Sequence, residues 1–566
     1  MSQTLAHDPA DIISHAPEPG TRVTTGEQGN FSPVTQGQEP WLALMPVVVL
    51  GGISAITYYI GFVRPYLLKD YYKQPLMDLA KINGHTPHSA NDWALTWIVL
   101  FACYYLAFRL CPAEISATRL FRRVAIGIVC GWAAFFCISM VFMYPVGAAD
   151  LFDQIFRARL LSHYGLNPFT TNPNVATGDP FLQYVAWSGD PSPYGPVWES
   201  LAGGTSWLAR LAGDGLWQNL TLFKTLVLVA YGVNVALTYW ILREVRPEWA
   251  LRGTIFFAWN PLVVFEVAGN GHNDSIVVTF LLLAVYLFVR ARHSAVIPAL
   301  MAGALTKFVP AILIPIAAAA IWRDRVRRKP LTEGREAGVP VRRRQLGNFE
   351  AFSSLAVGAV VALGLALVMY APFWKGPESI GALGRKGLFT ASIPKVVLDT
   401  LEQALDVKSE TAQAIVRNGA FGLTVLVALG LGTWVLVKGN ARTPEDRQAL
   451  VGRTLTSFYE TIFFYLAFAT LWFQPWYLMW LIALTAPVAR LANANRTILF
   501  CIGGVLNYFV WDYLWLWNHA SMRDIQVTAA MAVYTLPLFY SLYLLAAGII
   551  NRNRRPKQAS AIAQVS

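Results

Sequence analysis

Apolar blocks about 20 residues long, repeated along the chain and separated by short basic or aromatic segments, constrain this sequence more than any other feature. A helix of that length crosses the hydrocarbon core of a bilayer. Within lipid only helices and closed barrels satisfy their own backbone hydrogen bonds. The blocks lack the period-two alternation of barrel strands, so helices remain. Composition agrees: 55% of the 566 residues are hydrophobic and 14% charged, against about 25% charged in soluble domains. The mean hydropathy is +0.43. The expected fold class is all-α, a polytopic membrane protein of about 12–14 transmembrane helices with a large outer loop containing amphipathic helices.

Spanning segments are expected at 41–63, 93–111, 122–143, 219–243, 250–268, 273–291, 351–373, 419–437, 454–473, 475–491, 497–516 and 525–549. The block 295–322 is interrupted by Lys307 and Pro310 and has basic residues at both ends, Arg290 and Arg292 before it and Arg323 to Lys329 after it. A hairpin of two short helices keeps both basic flanks on one side, which a single crossing does not. The net charge of +12 is concentrated in loops between apolar blocks, a positive-inside pattern that argues against a nucleic-acid partner. The basic segments 119–123, 243–252, 323–348, 438–453 and 552–557 all fall on one side if the N-terminus is cytoplasmic. That assignment puts 64–92, 144–218 and 374–418 outside and implies cytoplasmic N- and C-termini. The stretch 196–213 is short and carries Glu199 and Arg210, so it reads as an interfacial helix. Residues 1–40, polar and rich in Pro, Gly and Thr, read as a disordered cytoplasmic tail without a signal-peptide pattern. Residues 551–566 read as a basic cytoplasmic tail. The five cysteines, Cys103, Cys111, Cys130, Cys137 and Cys501, lie in or beside apolar helices without metal-ligand spacing.

The outer loop opens with YPVGAADLFDQIFRARLLSHYGLNPF. As a helix, 150–164 gathers Leu151, Phe152, Ile155, Phe156 and Leu160 on one side and Asp150, Asp153, Gln154 and Arg157 on the other. Such a helix is expected to lie in the membrane surface with its carboxylates facing water. Asp150 and Asp153 are either helix-start residues that complement the dipole or a general base, and spacing leaves both readings open. Further on, Tyr194-Gly195-Pro196 is a rigid turn with proline at the first helical position. Trp187, Tyr194 and Trp198 are either sugar-stacking rings or interface anchors. The segment NPLVVFEVAGNGHNDSIVVTF holds Glu266, Asn270, His272, Asn273 and Asp274 where two expected spans meet. Ionisable groups at such depth are functional candidates, and a polar surface turn is the plainer alternative. Lys307 at the hairpin turn needs a counter-charge, either an anionic ligand such as a phosphate or Glu266 or Asp274. Trp476, Tyr477 and Trp480 of FQPWYLMW read first as belt aromatics. Lys375, Arg385, Lys386 and Lys395 of the loop 374–418 either sit over a phosphate or are solvated. Glu350, Glu460 and Asp512 also lie in or beside spans and receive no role.

In order along the chain, an acidic residue early in the first large outer loop is followed by GLNPF, SPYGPVW, NPLVVFEVAGNGHNDS, LTKF and QPWYLMW. This succession resembles the GT-C superfamily of integral-membrane glycosyltransferases, nearest to bacterial α-1,6-mannosyltransferases that use polyprenyl-phosphate mannose. The resemblance covers roughly 122–550, which it makes a GT-C-like catalytic domain, with 41–121 as an N-terminal two-helix extension. It implies an inverting transfer of a hexose, mannose by likeness, from a polyprenyl-phosphate sugar donor to a glycan or lipid-linked acceptor at the outer face of the plasma membrane. Asp150 then carries over as base, with Asp153 its competitor. His272 and Lys307 become candidates for the donor phosphate. Tyr194, Asn273, Asp274, Trp476 and Tyr477 become candidates for donor or acceptor contacts. No metal and no cofactor is expected. A secondary transporter relaying protons through Glu266, Asp274 and Asp512 is the first alternative, although no internal repeat is visible. A polysaccharide polymerase or ligase using basic residues of 374–418 is the second.

Overall fold

The computed structural model describes residues 40–113, 118–326, 340–384 and 388–562. The expected N-terminal tail up to residue 39, residues 327–339 of the basic loop, and Arg385 and Lys386 lie outside the described residues. Among the described residues the structure is helical, with two isolated bridges, Leu67 to Met143 and Thr390 to Trp472, and no strand.

Eight helices among the described residues are long and apolar enough to cross a bilayer: Trp41–Val63, Pro87–Leu110, Arg119–Met140, Leu216–Val245, Gly347–Phe373, Ser409–Lys438, Leu491–Trp517 and Met522–Ile550. A ninth is the pair Pro247–Ala258 and Pro261–Gly269, bent by 48° at its break. The bend has a local cause. Pro261 has no N–H to continue the first helix, and the Asn260 side chain caps the second by accepting from the Leu262 N–H. Asp274–Val289, His293–Ala304 and Pro475–Val488 are apolar but shorter. Every residue of Leu478–Val488 is buried, as an all-round apolar helix must be when it lies at the centre of a bundle. Leu491–Trp517 is likewise central, 61% buried over its most apolar window, whereas Gly347–Phe373 and Met522–Ile550 are 17% buried and form the lipid-facing rim.

The block around Lys307 folds back on itself. His293, which opens its first helix, lies 2.8 Å from Asp324 near the end of Ile314–Val326. Arg447 joins the same carboxylate at 3.2 Å. Both ends of the block therefore share one face of the bundle, as the basic flanks imply. Glu244 and Arg290 pair on that face too, at 2.5 Å. The turn at Leu305–Lys307 lies at the opposite end, where the first outer loop meets it.

That loop holds two packed helices, Asp150–Tyr164 and Pro196–Leu211. The expectation of a surface helix with carboxylates facing water is corrected here, because residues 151–160 are all buried. The second half of the same loop folds over the polar face and supplies its partners. Asp153 accepts from the Ala186 and Trp187 N–H groups, and Arg157 donates to the Trp187 and Asp190 carbonyls. Arg159 pairs with Asp179 at 2.9 Å and with Asp214 at 2.6 Å. Backbone hydrogen bonds anchor the loop to the hairpin: Gly195 N–H donates to the Thr306 carbonyl at 3.0 Å and Val197 N–H to that of Leu305 at 2.9 Å. A Cβ on Gly195 would collide with the Leu305 carbonyl. Gly195→Ala is therefore expected to destabilise the fold by about 1–3 kcal/mol through overpacking, read as a lower apparent Tm of the detergent-purified protein. Gly204→Ala, whose Cβ position is open, should melt like the wild type.

Candidate active site

Three segments converge at the hairpin-turn end of the bundle: the start of Asp150–Tyr164, the GNGHND turn, and the PWY turn of FQPWYLMW. Each is placed by local chemistry. Phe265–Gly269 is a π-helical turn, a wider coil often found at functional sites. Gly271 follows with φ of 77°, a left-handed conformation that suits glycine, and reverses the chain towards His272. Asp274 then opens the helix Asp274–Val289, where a carboxylate complements the helix dipole.

Asp150 and Asp153 differ in what holds them. Asp153 is buried, lies 3.2 Å from Arg157, and accepts from two backbone N–H groups at 2.9 and 3.3 Å. Its carboxylate is committed to fixing the loop. Asp150 is partly exposed, and the Tyr194 hydroxyl stands 3.5 Å from its Oδ2. Gln154 donates to the same hydroxyl at 3.1 Å. Burial lifts the Asp150 carboxyl to about 6, the neighbouring Asp153 pushes the same way, and the Lys307 charge pulls against both.

Lys307 is paired, as its depth requires. Its Nζ lies 2.7 Å from Asp274 Oδ2, and the rings of Tyr477, Tyr194 and Trp480 stand 5.1, 5.5 and 5.8 Å from it. Asp274 is the counter-charge, and the aromatic faces add cation–π attraction. The Lys307 side chain is 16% exposed. His272 stacks on Trp476, with ring centroids 4.0 Å apart and planes at 17°. Tyr477 stacks on Trp480 at 4.7 Å. These aromatics line the interior, which corrects the reading of Trp476, Tyr477 and Trp480 as belt residues. Trp476 and Trp480 are buried, and Tyr477 is half-buried against Trp480. Asn273 is 1% exposed, and neither its amide nitrogen nor its carbonyl oxygen has a hydrogen-bond partner. Buried polar atoms are normally satisfied, and such a pair points to a ligand.

Other candidates fall elsewhere. Trp198 is buried against Tyr194 and Phe223 and belongs to the core. Trp187 meets Trp472 edge-on at 5.8 Å. Lys395 is paired with Asp399 at 2.5 Å, and Lys375 is exposed. Glu460 pairs with Arg496 at 2.5 Å. Among the described residues no group of three or more His, Cys, Asp or Glu side chains is arranged to hold a metal ion. The sequence reading missed Gln154 as a partner of Tyr194, although its i+4 spacing from Asp150 placed it on the same face. It also missed Tyr508, which lies in an apolar span with no local signal.

The contrast between the two aspartates is testable. Asp153→Ala leaves Arg157 buried without its carboxylate and is expected to destabilise the protein by about 3–5 kcal/mol. Asp150→Asn should leave the apparent Tm within about a degree of wild type, since that carboxylate carries no structural pairing of this kind.

Comparison with known proteins bears on the chain directly. Residues 48–323 match the family model described as alpha-(1->6)-mannopyranosyltransferase, N-terminal domain. That span contains Asp150, Tyr194, the GNGHND turn and Lys307. The chain is 24% identical to alpha-(1->6)-mannopyranosyltransferase A of Mycobacterium tuberculosis over 525 residues, 87% of this chain and 88% of the relative. It is 21% identical to the protein of the same name from Corynebacterium glutamicum over 433 residues, 73% of this chain and 82% of the relative. No solved structure matches it significantly. Residues 48–323 are thus similar to the N-terminal domain of the alpha-(1->6)-mannopyranosyltransferase family.

Proposed function

We propose that the chain is an inverting mannosyltransferase that moves mannose from a polyprenyl-phosphate donor to a glycan or lipid-linked acceptor at the outer face of the plasma membrane. The observation that carries the reading is the opposition of two groups at one end of the bundle. One is Asp150, a carboxylate without a cationic partner. The other is Lys307, a cation held by Asp274 inside an aromatic cage. The names of the relatives support mannose as the sugar and a 1→6 linkage.

In this mechanism the acceptor hydroxyl lies against Asp150 Oδ1 or Oδ2. Its oxygen attacks the anomeric carbon as its proton passes to Asp150. The bond from that carbon to the phosphate oxygen breaks on the opposite face, so the anomeric centre inverts. The polyprenyl phosphate leaves with the bonding electron pair. Charge builds on the phosphate as the bond lengthens, and Lys307 and His272 are placed to stabilise it. Asn273 offers one donor and one acceptor to the sugar or phosphate. Tyr194 orients the Asp150 carboxylate, while Asp274 holds the Lys307 ammonium. Trp476 and Tyr477 present ring faces, Trp476 behind His272 and Tyr477 beside Lys307, where a pyranose can stack. Asp153 acts through the loop it fixes and not as base.

Asp150→Asn should lower transfer by about a hundred- to ten-thousand-fold in membranes supplied with polyprenyl-phosphate mannose. Undiminished transfer would remove Asp150 from the role of base. The base works deprotonated, so kcat/KM should fall as pH drops through about 6, where the Asp150 carboxyl protonates. Lys307 holds that carboxyl down. Lys307→Met should therefore move this acid limb to higher pH besides weakening donor turnover. A limb that stays in place would separate Lys307 from Asp150.

A further inference from the structure

Glu266 takes no part in the transfer just described, yet it is fully buried at the centre of the site. Its Oε1 accepts from the Tyr508 hydroxyl at 2.7 Å, and its Oε2 accepts from Asn270 Nδ2 at 2.8 Å. His272 Nε2 stands 3.3 Å from the same Oε2. The other end of the Asn270 amide accepts from the Gly147 N–H at 3.1 Å. Gly147 lies three residues before Asp150. A Cβ there would press on Asn270 Nδ2 at 2.5 Å and on the Tyr508 hydroxyl at 3.0 Å, so the approach is as close as the backbone permits. One carboxylate therefore joins the ring beside the hairpin turn to the strand of chain that delivers Asp150.

We infer that Glu266 is a positioning residue that sets the distance between His272 and Asp150 through the chain Glu266–Asn270–Gly147, with Tyr508 fixing the carboxylate from behind. This deepens the proposed transfer and rests on it. The Glu266 side chain lies against Nε2 without a hydrogen bond to it, and the Glu266 carbonyl accepts from the His272 N–H at 3.0 Å, so the residue holds His272 in place through its backbone and its packing while Nε2 stays open to a ligand. Base and leaving group must be held together to within about an ångström, and a shift of that size can cost about a hundredfold in rate. Removing the carboxylate should lower kcat more than it weakens either substrate, because neither substrate touches it.

The test measures kcat and both KM values on the full-length protein in membranes, with folding checked by apparent Tm. Glu266→Gln turns one acceptor into a donor facing Asn270 Nδ2 and His272. It should lower kcat at least tenfold while each KM moves less than threefold. In Glu266→Gln with Asn270→Asp, the new carboxylate accepts from both Gly147 N–H and the Gln amide. That double variant should recover at least fivefold over Glu266→Gln alone. Tyr508→Phe removes a single hydroxyl and keeps the packing, so it reports on the same chain if Glu266→Gln does not fold, and it should lower kcat at least threefold. Glu266→Gln within twofold of wild type, a double variant no better than the single one, or, where Glu266→Gln fails to fold, unchanged kcat in Tyr508→Phe would each overturn the inference. An inactive Asp150→Asn beside a fully active Glu266→Gln would overturn this inference alone. An active Asp150→Asn would overturn the transfer mechanism itself.

Discussion

The Tyr194–Val197 turn lies with its backbone against the backbone of the hairpin tip, and the candidate site follows from that contact. Two N–H donors of the first outer loop reach the carbonyls of Leu305 and Thr306. The next residue along the tip is Lys307, and the residue before the donors is Tyr194. Once the two backbones are in register, the Lys307 ammonium has to lie over the Tyr194 ring, whose hydroxyl faces Asp150. Gly195 makes the register possible, because a side chain there would occupy the space of the Leu305 carbonyl. Tyr194-Gly195-Pro196 starts a helix, as its proline implies. The turn also fastens the loop to the bundle.

Charge burial explains why the rest of the site is so tightly cross-connected. Each ionisable group at this depth needs a partner, since an isolated charge in an apolar interior is very costly. Asp153 takes Arg157, Lys307 takes Asp274, Glu266 takes Tyr508 and Asn270, and Arg159 takes Asp179 and Asp214. Asp150 instead has the Tyr194 hydroxyl at 3.5 Å and stays partly exposed. The difference between Asp153, which fixes the loop, and Asp150, which does not, is thus a difference in partners. Both are aspartates in the first turn of one helix.

The lipid-facing and interior helices divide by the same logic. Spans on the rim expose Val360, Phe421 and Phe539 to the bilayer, while Leu478–Val488 is apolar on every side and sits wholly inside. Hydropathy treats these alike, which is why 475–491 reads from sequence as one more crossing. Aromatic residues carry the same ambiguity. Trp476 and Trp480 have the composition of an interface belt but are buried beside His272 and Lys307.

By itself the sequence determined the helical membrane class, the positions of most long spans, the hairpin around Lys307 and the segments that carry the candidate chemistry. Those properties are written in local hydropathy, in the placement of basic residues and in motif order, and each is readable over a short stretch. Only the tertiary structure decided which aspartate is free, which partner Lys307 takes, and that the polar face of 150–164 is covered. It also decided that Glu266 and Tyr508 meet across 242 positions of chain. Partnership between buried polar groups depends on distances between segments far apart in sequence, and no local pattern records those distances.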